Sequence, residues 1–101
     1  MTVSSKFSAD AKQFVIAIDQ RFDFSLHHQF REAYNSVTNQ GQKYILDLSQ
    51  TEYMDSSALG MILLLKDHVQ LYSGSLTISK PSETVNKILK IAQFQRLMTI
   101  E

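Results

Sequence analysis

Short apolar runs of strand length alternate along this chain with longer segments whose apolar residues recur at helical spacing, and this alternation limits the possible folds. The runs "FVIAI", "YILDL" and "SLTIS" each have strand length, and "TVSSKFS" precedes the first of them across a short turn. Strands that alternate with helices usually form a largely parallel sheet. The order β-β-α-β-α-β-α-β, with "LMTI" as the last strand, therefore predicts one α/β domain over residues 1–101 with a mixed, mostly parallel sheet.

The residues at the ends of the helical segments predict where each helix begins and ends. Ser25 is expected to cap the first helix, which is predicted to continue almost to Gly41. Asp55 is expected to cap the second helix and Ser82 the third. The uninterrupted apolar run at residues 14–18 indicates a strand that is covered on both faces.

The charge and cysteine content limit the partners and the compartment. Ten basic and ten acidic residues cancel and are dispersed, so we expect no nucleic-acid partner and no anionic-membrane partner. The chain has no cysteine, which suits a reducing compartment, and we expect a cytoplasmic protein. The longest apolar run, Met61 to Leu65, is far too short to span a bilayer, so we expect no membrane insertion.

An acid and two hydroxyl residues, Asp55, Ser56 and Ser57, stand directly before the most apolar part of the chain. Helix capping alone would account for these residue types. In α/β sheets, however, functional groups gather beyond the carboxyl ends of the strands. Asp23 and Ser25 follow the second strand as Asp55 follows the third, so both groups lie at one edge of the molecule if those strands are neighbours.

The three histidines do not support a catalytic or metal site. An activated serine needs a base within hydrogen-bond reach. His27 and His28 are adjacent on one helix, and His68 lies more than about three turns beyond Ser56 on another. We therefore expect no catalytic residue, no metal and no cofactor in a protein that is not an enzyme, and we expect all three histidines on solvated helix faces.

A serine in the first turn of a helix can instead be a substrate. Its hydroxyl lies at the surface beside free backbone N–H groups and the positive end of the helix dipole, which favour a phosphate. Phosphorylation of Ser56 would leave the fold intact and change what the surface binds.

The stretch "YILDLSQTEYMDSSALGMIL" resembles the central block of STAS domains, in particular the small single-domain bacterial anti-sigma factor antagonists. That block has a strand, a short loop, and then Asp-Ser-Ser/Thr-Gly-Leu-Gly at the start of a helix. Ala58 replaces the first glycine of the pattern, and the residues that match it are Asp55, Ser56, Ser57, Leu59 and Gly60.

Two further segments extend the resemblance over nearly the whole chain. "RFDFS" stands where the family has Gly-Glu-Leu/Ile-Asp, so Asp23 matches the acid of the family, whereas Gln20 and Arg21 differ from its glycine and glutamate. "SKPSETVNKILKIAQFQRLMTI" resembles the closing turn, helix and strand of the family.

The resemblance implies a phosphorylation-controlled interaction switch. The unphosphorylated protein would bind an anti-sigma factor that is also a serine protein kinase, and so release the sigma factor. Phosphorylation of the serine that follows the aspartate, here Ser56, would end binding, with Ser57 as a supporting hydroxyl. A serine phosphatase would reverse the modification, and in some bacteria the partner is a phosphatase-bearing response regulator or a cyclase.

The helix after the motif offers further contact residues. Ile62, Leu65 and Val69 form the stripe expected to face the core, whereas Leu59 and Leu63 fall on another side. Leu59 and Leu63 are expected either to be covered by flanking helices or to be exposed to a partner. The predicted partner-binding set is Asp23, Ser25, Asp55, Ser56, Ser57, Leu59 and Leu63.

A second function stays open from the sequence. A STAS-like accessory subunit would dock on the ATPase of a membrane transporter and use the serine hydroxyl as a contact without phosphorylation. The intact Asp-Ser-Ser sequence favours the switch, because a contact residue would tolerate other side chains.

Overall fold

The structure, a computed structural model, describes residues 3–101, so Thr2 of the first predicted strand lies outside the described residues. Its strands and helices follow in this order: β1 (Val3–Phe7), β2 (Gln13–Ile18), β3 (Gln20–Phe22), α1 (His27–Tyr34), β4 (Lys43–Asp47), β5 (Thr51–Met54), α2 (Ser56–Leu71), β6 (Ser75–Ser79), α3 (Glu83–Ile91) and β7 (Thr99–Ile100).

The main sheet is mixed and mostly parallel. Its five strands lie in the order β1-β2-β4-β6-β7, and only β1 runs antiparallel to its neighbour. The α/β fold class and the predicted order of the main strands and helices are therefore confirmed. Two short strands, β3 and β5, were not predicted, and they form a separate parallel pair.

The main sheet is covered on one face only. Phe14, Ile16 and Ile18 of β2 are buried in the same core as the apolar residues of all three helices. The side chains between them, Val15 and Ala17, point to the opposite face and are only half-buried. The expectation that β2 is covered on both faces is therefore wrong, because every helix supplies its apolar stripe to the same layer.

The first helix begins and ends at different residues from those predicted. A single turn of 3-10 helix over Phe24–Leu26 precedes it, and Asp23 rather than Ser25 is the residue whose side chain caps that turn. The helix itself begins at His27 without a side-chain cap and ends at Tyr34, well before Gly41. The prediction of Ser25 as the cap was wrong, since a carboxylate two residues earlier accepts the Ser25 N–H.

Val37 explains why the helix does not continue. Its side chain is buried although it lies in the loop after α1. Its carbonyl accepts hydrogen bonds from the Tyr44 hydroxyl at 3.1 Å and from His68 Nε2 at 2.7 Å. In a continuing helix the Val37 carbonyl would accept a backbone N–H from four residues later, but here side chains from β4 and α2 take that place. A local sequence pattern cannot show such contacts between elements.

His68 is part of the core boundary and does not lie on a solvated face as expected. Its half-buried ring lies 5.0 Å from the Tyr34 ring, 6.3 Å from the Tyr44 ring and 5.1 Å from the Tyr72 ring, measured between centroids. The expectation of exposure is correct for His27 and His28 alone.

The caps predicted for the other two helices are confirmed. Asp55 accepts a hydrogen bond from the Ala58 N–H at 3.1 Å, and Ser82 Oγ accepts one from the Val85 N–H at 3.3 Å. Ser82 Oγ also donates to the Thr51 carbonyl at 2.9 Å, which joins the start of α3 to β5. No helix in the described part of the chain has the length and apolar character needed to cross a membrane.

Gly74, before β6, is required by a close approach between two segments of backbone. A Cβ atom at this position would lie 2.5 Å from the Gln42 carbonyl oxygen. Gly74→Ala should therefore lower the free energy of unfolding by about 1–3 kcal/mol, the usual cost of overpacking. Urea denaturation measures the change.

Gly60 provides the matched control, because a Cβ atom there would meet nothing within 4 Å. Gly60→Ala should raise the free energy of unfolding by up to about 1 kcal/mol, since alanine favours a helix interior over glycine. Equal effects of the two substitutions would contradict the steric explanation.

Candidate functional site

The parallel pair of β3 and β5 brings the two polar turns of the sequence together. Phe22 lies opposite Met54, and the Asp55 N–H donates to the Phe22 carbonyl at 3.3 Å. Asp23 and Asp55 each follow one of these paired residues, so both turns lie at one edge of the molecule. The two turns were expected to follow β2 and β4 directly, but each follows one of the short additional strands instead.

Gln20 makes the bend that separates β3 from β2. Its φ of 59° is in the left-handed region, which glycine adopts freely and other residues adopt at a cost. Its N–H donates to the Gln50 carbonyl at 2.8 Å, just before β5 begins. The positive φ explains why the family pattern has glycine at this position. In this chain Gln20 makes the bend instead.

The two serines after Asp55 have different surroundings. Ser57 is half-buried and donates its hydroxyl to Asp55 Oδ1 at 2.6 Å, the oxygen that also caps α2. Ser56, the first residue of α2, is exposed, and its hydroxyl has no hydrogen bond within residues 3–101. The free N–H groups of the first turn and the helix dipole favour a negative charge at Ser56.

Asp23 organises the second turn. Its carboxylate accepts hydrogen bonds from the Ser25 hydroxyl, from the Ser25 N–H at 3.0 Å and from Arg21 Nε at 3.1 Å. The pKa of Asp23 is held below its ordinary value, mainly by the Ser25 hydroxyl. Burial opposes this effect, and the Ser25 N–H and the Arg21 guanidinium add smaller downward shifts. The group therefore stays ionised to lower pH than a free aspartate.

Arg21 and Tyr53 form an exposed pair beside these turns, and the sequence analysis did not single them out as site residues. The two residues lie opposite each other in β3 and β5, and the guanidinium carbon lies 4.9 Å from the ring centroid. A cation over a ring face is attracted by the ring quadrupole. Strands of three and four residues are too short to leave a periodic signal, so the pairing could not be seen in the sequence.

The apolar residues of α2 divide as the helical stripe predicted. Ile62, Leu65 and Val69 are buried, which confirms that stripe as the core face. Leu59 is partly buried against the core, whereas Leu63 is 37% exposed. The alternative of coverage is thus correct for Leu59, and the alternative of exposure is correct for Leu63.

Two strongly exposed apolar side chains at the same edge were not predicted. Phe24 and Leu64 are each 61% exposed. Leu64 lies in the continuous apolar run of α2, outside the predicted core stripe, and was not included in the predicted partner-binding set.

Hydroxyl and carboxylate groups dominate the site. Among residues 3–101, no group of three or more histidine, cysteine, aspartate or glutamate side chains could hold a metal ion. His27 Nδ1 and His68 Nε2 each form a hydrogen bond with a backbone carbonyl, and His28 Nε2 lies near the Glu32 carboxylate. The arrangement can present a hydroxyl at a helix start beside two carboxylates and an apolar surface.

The sequence profile of the STAS domain family matches residues 5–101, and the chain belongs to this family. It is 41% identical over 100 residues to the STAS-domain containing protein PA14_20770 of Pseudomonas aeruginosa, covering 99% of each chain. It is also 31% identical over 75 residues to a provisional anti-sigma factor antagonist of Thermotoga neapolitana, the TM1081 homologue, covering 72% of this chain and 66% of that protein.

Solved structures of the anti-sigma factor antagonist SpoIIAA have the same fold. The unphosphorylated form superposes with a TM-score of 0.73 at 20% identity, covering 99% of this chain and 87% of that chain. The phosphorylated form of the Bacillus protein gives a TM-score of 0.68 at 18% identity, covering 99% and 91%. At these identities the likeness concerns the fold alone.

The hydrogen bond from Ser25 to Asp23 can be tested by titration. Ser25→Ala should raise the pKa of Asp23 toward its ordinary value, because the largest cause of the lowered pKa is removed. A group with a lowered pKa stabilises the fold above its unfolded pKa and loses this effect as pH falls through the folded value. As pH falls, the variant should therefore lose the stabilising contribution of Asp23 at a higher pH than the parent protein does. NMR titration of the Asp23 carboxyl carbon measures the pKa. Ser36→Ala is the control, because Ser36 is an exposed serine in the loop after α1.

The Asp55 cap can be tested by removing or keeping its acceptor oxygen. Asp55→Ala should lower the free energy of unfolding by about 0.5–2 kcal/mol, because the start of α2 loses its acceptor. Asp55→Asn keeps an oxygen and should retain most of the stability. Equal losses in chemical denaturation would show that capping is not the contribution of Asp55.

Proposed function

We propose that this protein is a phosphorylation-controlled switch that binds an anti-sigma factor and thereby releases a sigma factor. The anti-sigma factor is also the serine kinase that phosphorylates Ser56, and the phosphorylated protein no longer binds. A serine phosphatase, in some bacteria fused to a response regulator, reverses the modification.

The contrast between the two serines supports this assignment most directly. The Ser57 hydroxyl is used inside the molecule by Asp55, whereas the Ser56 hydroxyl is exposed and unbonded among the described residues. A kinase can reach Ser56 without disturbing the cap. Phosphorylation of Ser57 would break its hydrogen bond and place a phosphate against the Asp55 carboxylate.

The effect of a phosphate on the fold should be small. It adds about −1.5 to −2 charges at neutral pH. At the start of α2 this charge gains roughly 0.3–1 kcal/mol from the helix dipole, partly offset by repulsion from Asp55.

The effect on a bound partner should be much larger. Within an interface the phosphate must be desolvated against a surface shaped for a hydroxyl, which costs several kcal/mol unless a cation faces it. A loss of that size lowers affinity by roughly a thousandfold.

The proposed contact surface surrounds Ser56 at the edge formed by β3 and β5. It comprises the two acidic turns and the nearest side chains of α2. Some of these residues, such as Asp23, are half-buried, and others, such as Leu63, are exposed. The residues of this surface are Asp23, Ser25, Asp55, Ser56, Ser57, Leu59 and Leu63.

Binding titrations of Ser56 variants test the switch. Each anti-sigma factor encoded by the host is purified and titrated against the unmodified protein, and the one that binds is used throughout. Ser56→Asp should bind roughly a thousandfold more weakly than Ser56→Ala with a near-normal melting temperature. Ser57→Ala should still be phosphorylated by the kinase.

The proposal is falsified if Ser56→Asp binds as tightly as Ser56→Ala, or if the phosphate maps to Ser57. Intact-mass analysis of protein from its native host, with site mapping, provides an independent measurement. One phosphate on Ser56 would agree with the switch, whereas no phosphate under any growth condition would favour the transporter-subunit function.

A further inference from the structure

An apolar groove lies between α1 and α2, next to the edge that carries Ser56. It has a volume of about 140 Å³, and its lining includes Phe24, Phe30, Arg31, Tyr34, Met61 and Leu64. A cavity of roughly 150 Å³ in a protein core accommodates benzene. The groove therefore has room for one leucine or phenylalanine side chain.

The groove is continuous with the proposed switch surface along one face of α2. Ser56, Gly60 and Leu64 are spaced four residues apart and therefore follow one another along the helix surface. Phe24 connects the groove to the other turn of the edge, since it directly follows Asp23. A protein that covers Ser56 thus reaches the groove within about two helical turns.

Gly60 lies between the serine and the groove, and nothing inside the molecule requires it. It is exposed, and a Cβ atom there would meet no atom within 4 Å. Glycine is a poor residue for a helix interior. The bare backbone at this point would allow another chain to approach α2 closely.

The groove has a positive charge on its wall. Arg31 makes no ion pair within residues 3–101, and no carboxylate is among the lining residues. Burial raises the pKa of Tyr34 in the groove, with Arg31 acting against this shift and Asp67 adding to it. Asp67 lies beyond Leu64 on α2 and does not line the groove. Because no carboxylate of the described residues pairs with Arg31, a carboxylate from a partner is favoured beside it.

We propose that the protein bound at Ser56 also inserts one large apolar side chain into this groove, with a carboxylate next to it that faces Arg31. Its backbone crosses α2 at Gly60. The groove then gives affinity and selects the partner, while Ser56 controls when binding occurs. This inference rests on the proposed function, because both concern the same bound protein.

The test uses the anti-sigma factor that binds in the titrations above and measures its affinity for variants along the path. Leu64→Ser and Arg31→Glu should each lower affinity at least about tenfold. Gly60→Ala should lower affinity while its melting temperature is unchanged or higher, which separates close approach from folding. Leu71→Ser is the matched control, since Leu71 is 71% exposed on the same helix but does not line the groove.

The outcomes separate this inference from the proposed function. If Ser56→Asp loses binding while Leu64→Ser and Arg31→Glu bind as tightly as the parent, the groove is not used and the switch stands. An equal loss for Leu71→Ser would also overturn the role of the groove. If Ser56→Asp binds as tightly as Ser56→Ala, or if no host anti-sigma factor binds, the proposed function fails and this inference fails with it.

Discussion

The short parallel pairing of β3 with β5 is the interaction on which the functional edge depends. The chain leaves the main sheet at Gln20, and the pairing of Phe22 with Met54 then sets the two acidic turns side by side. Phe22 and Met54 are themselves almost fully buried, so the pair is held by the core as well as by backbone hydrogen bonds. A shift of one residue in this register would turn the buried side chain of the shifted strand out of the core and would move one turn away from the other.

One carboxylate oxygen decides how the two serines differ. Asp55 Oδ1 accepts from both the Ser57 hydroxyl and the Ala58 N–H, so the cap and the second serine form a closed local network. Ser56 lies outside this network at the same helix start. A charge on its side chain should therefore have little effect on the fold, which is the physical requirement for the proposed switch.

The core is complete without the apolar side chains at this edge. Within residues 3–101 no buried side-chain nitrogen or oxygen lacks a hydrogen-bond partner. Phe24, Leu63 and Leu64 are nevertheless exposed, and the helix that carries the two leucines contains a glycine that the fold does not need. Exposed apolar surface and a glycine in a helix interior usually lower solubility and stability, and a bound protein that covers them would remove that disadvantage.

The sequence by itself determined the features that depend on residues close together in the chain. The caps by Asp55 and Ser82, the core stripe of α2 and the order of the main strands follow from local hydrogen bonds and periodic burial. Tertiary structure alone decided the end of α1, where the Val37 carbonyl finds partners on distant elements, and the open face of the sheet. It also decided the β3–β5 pair and the exposure of Leu64, because these depend on which segments meet in space, and a local pattern carries no information about that.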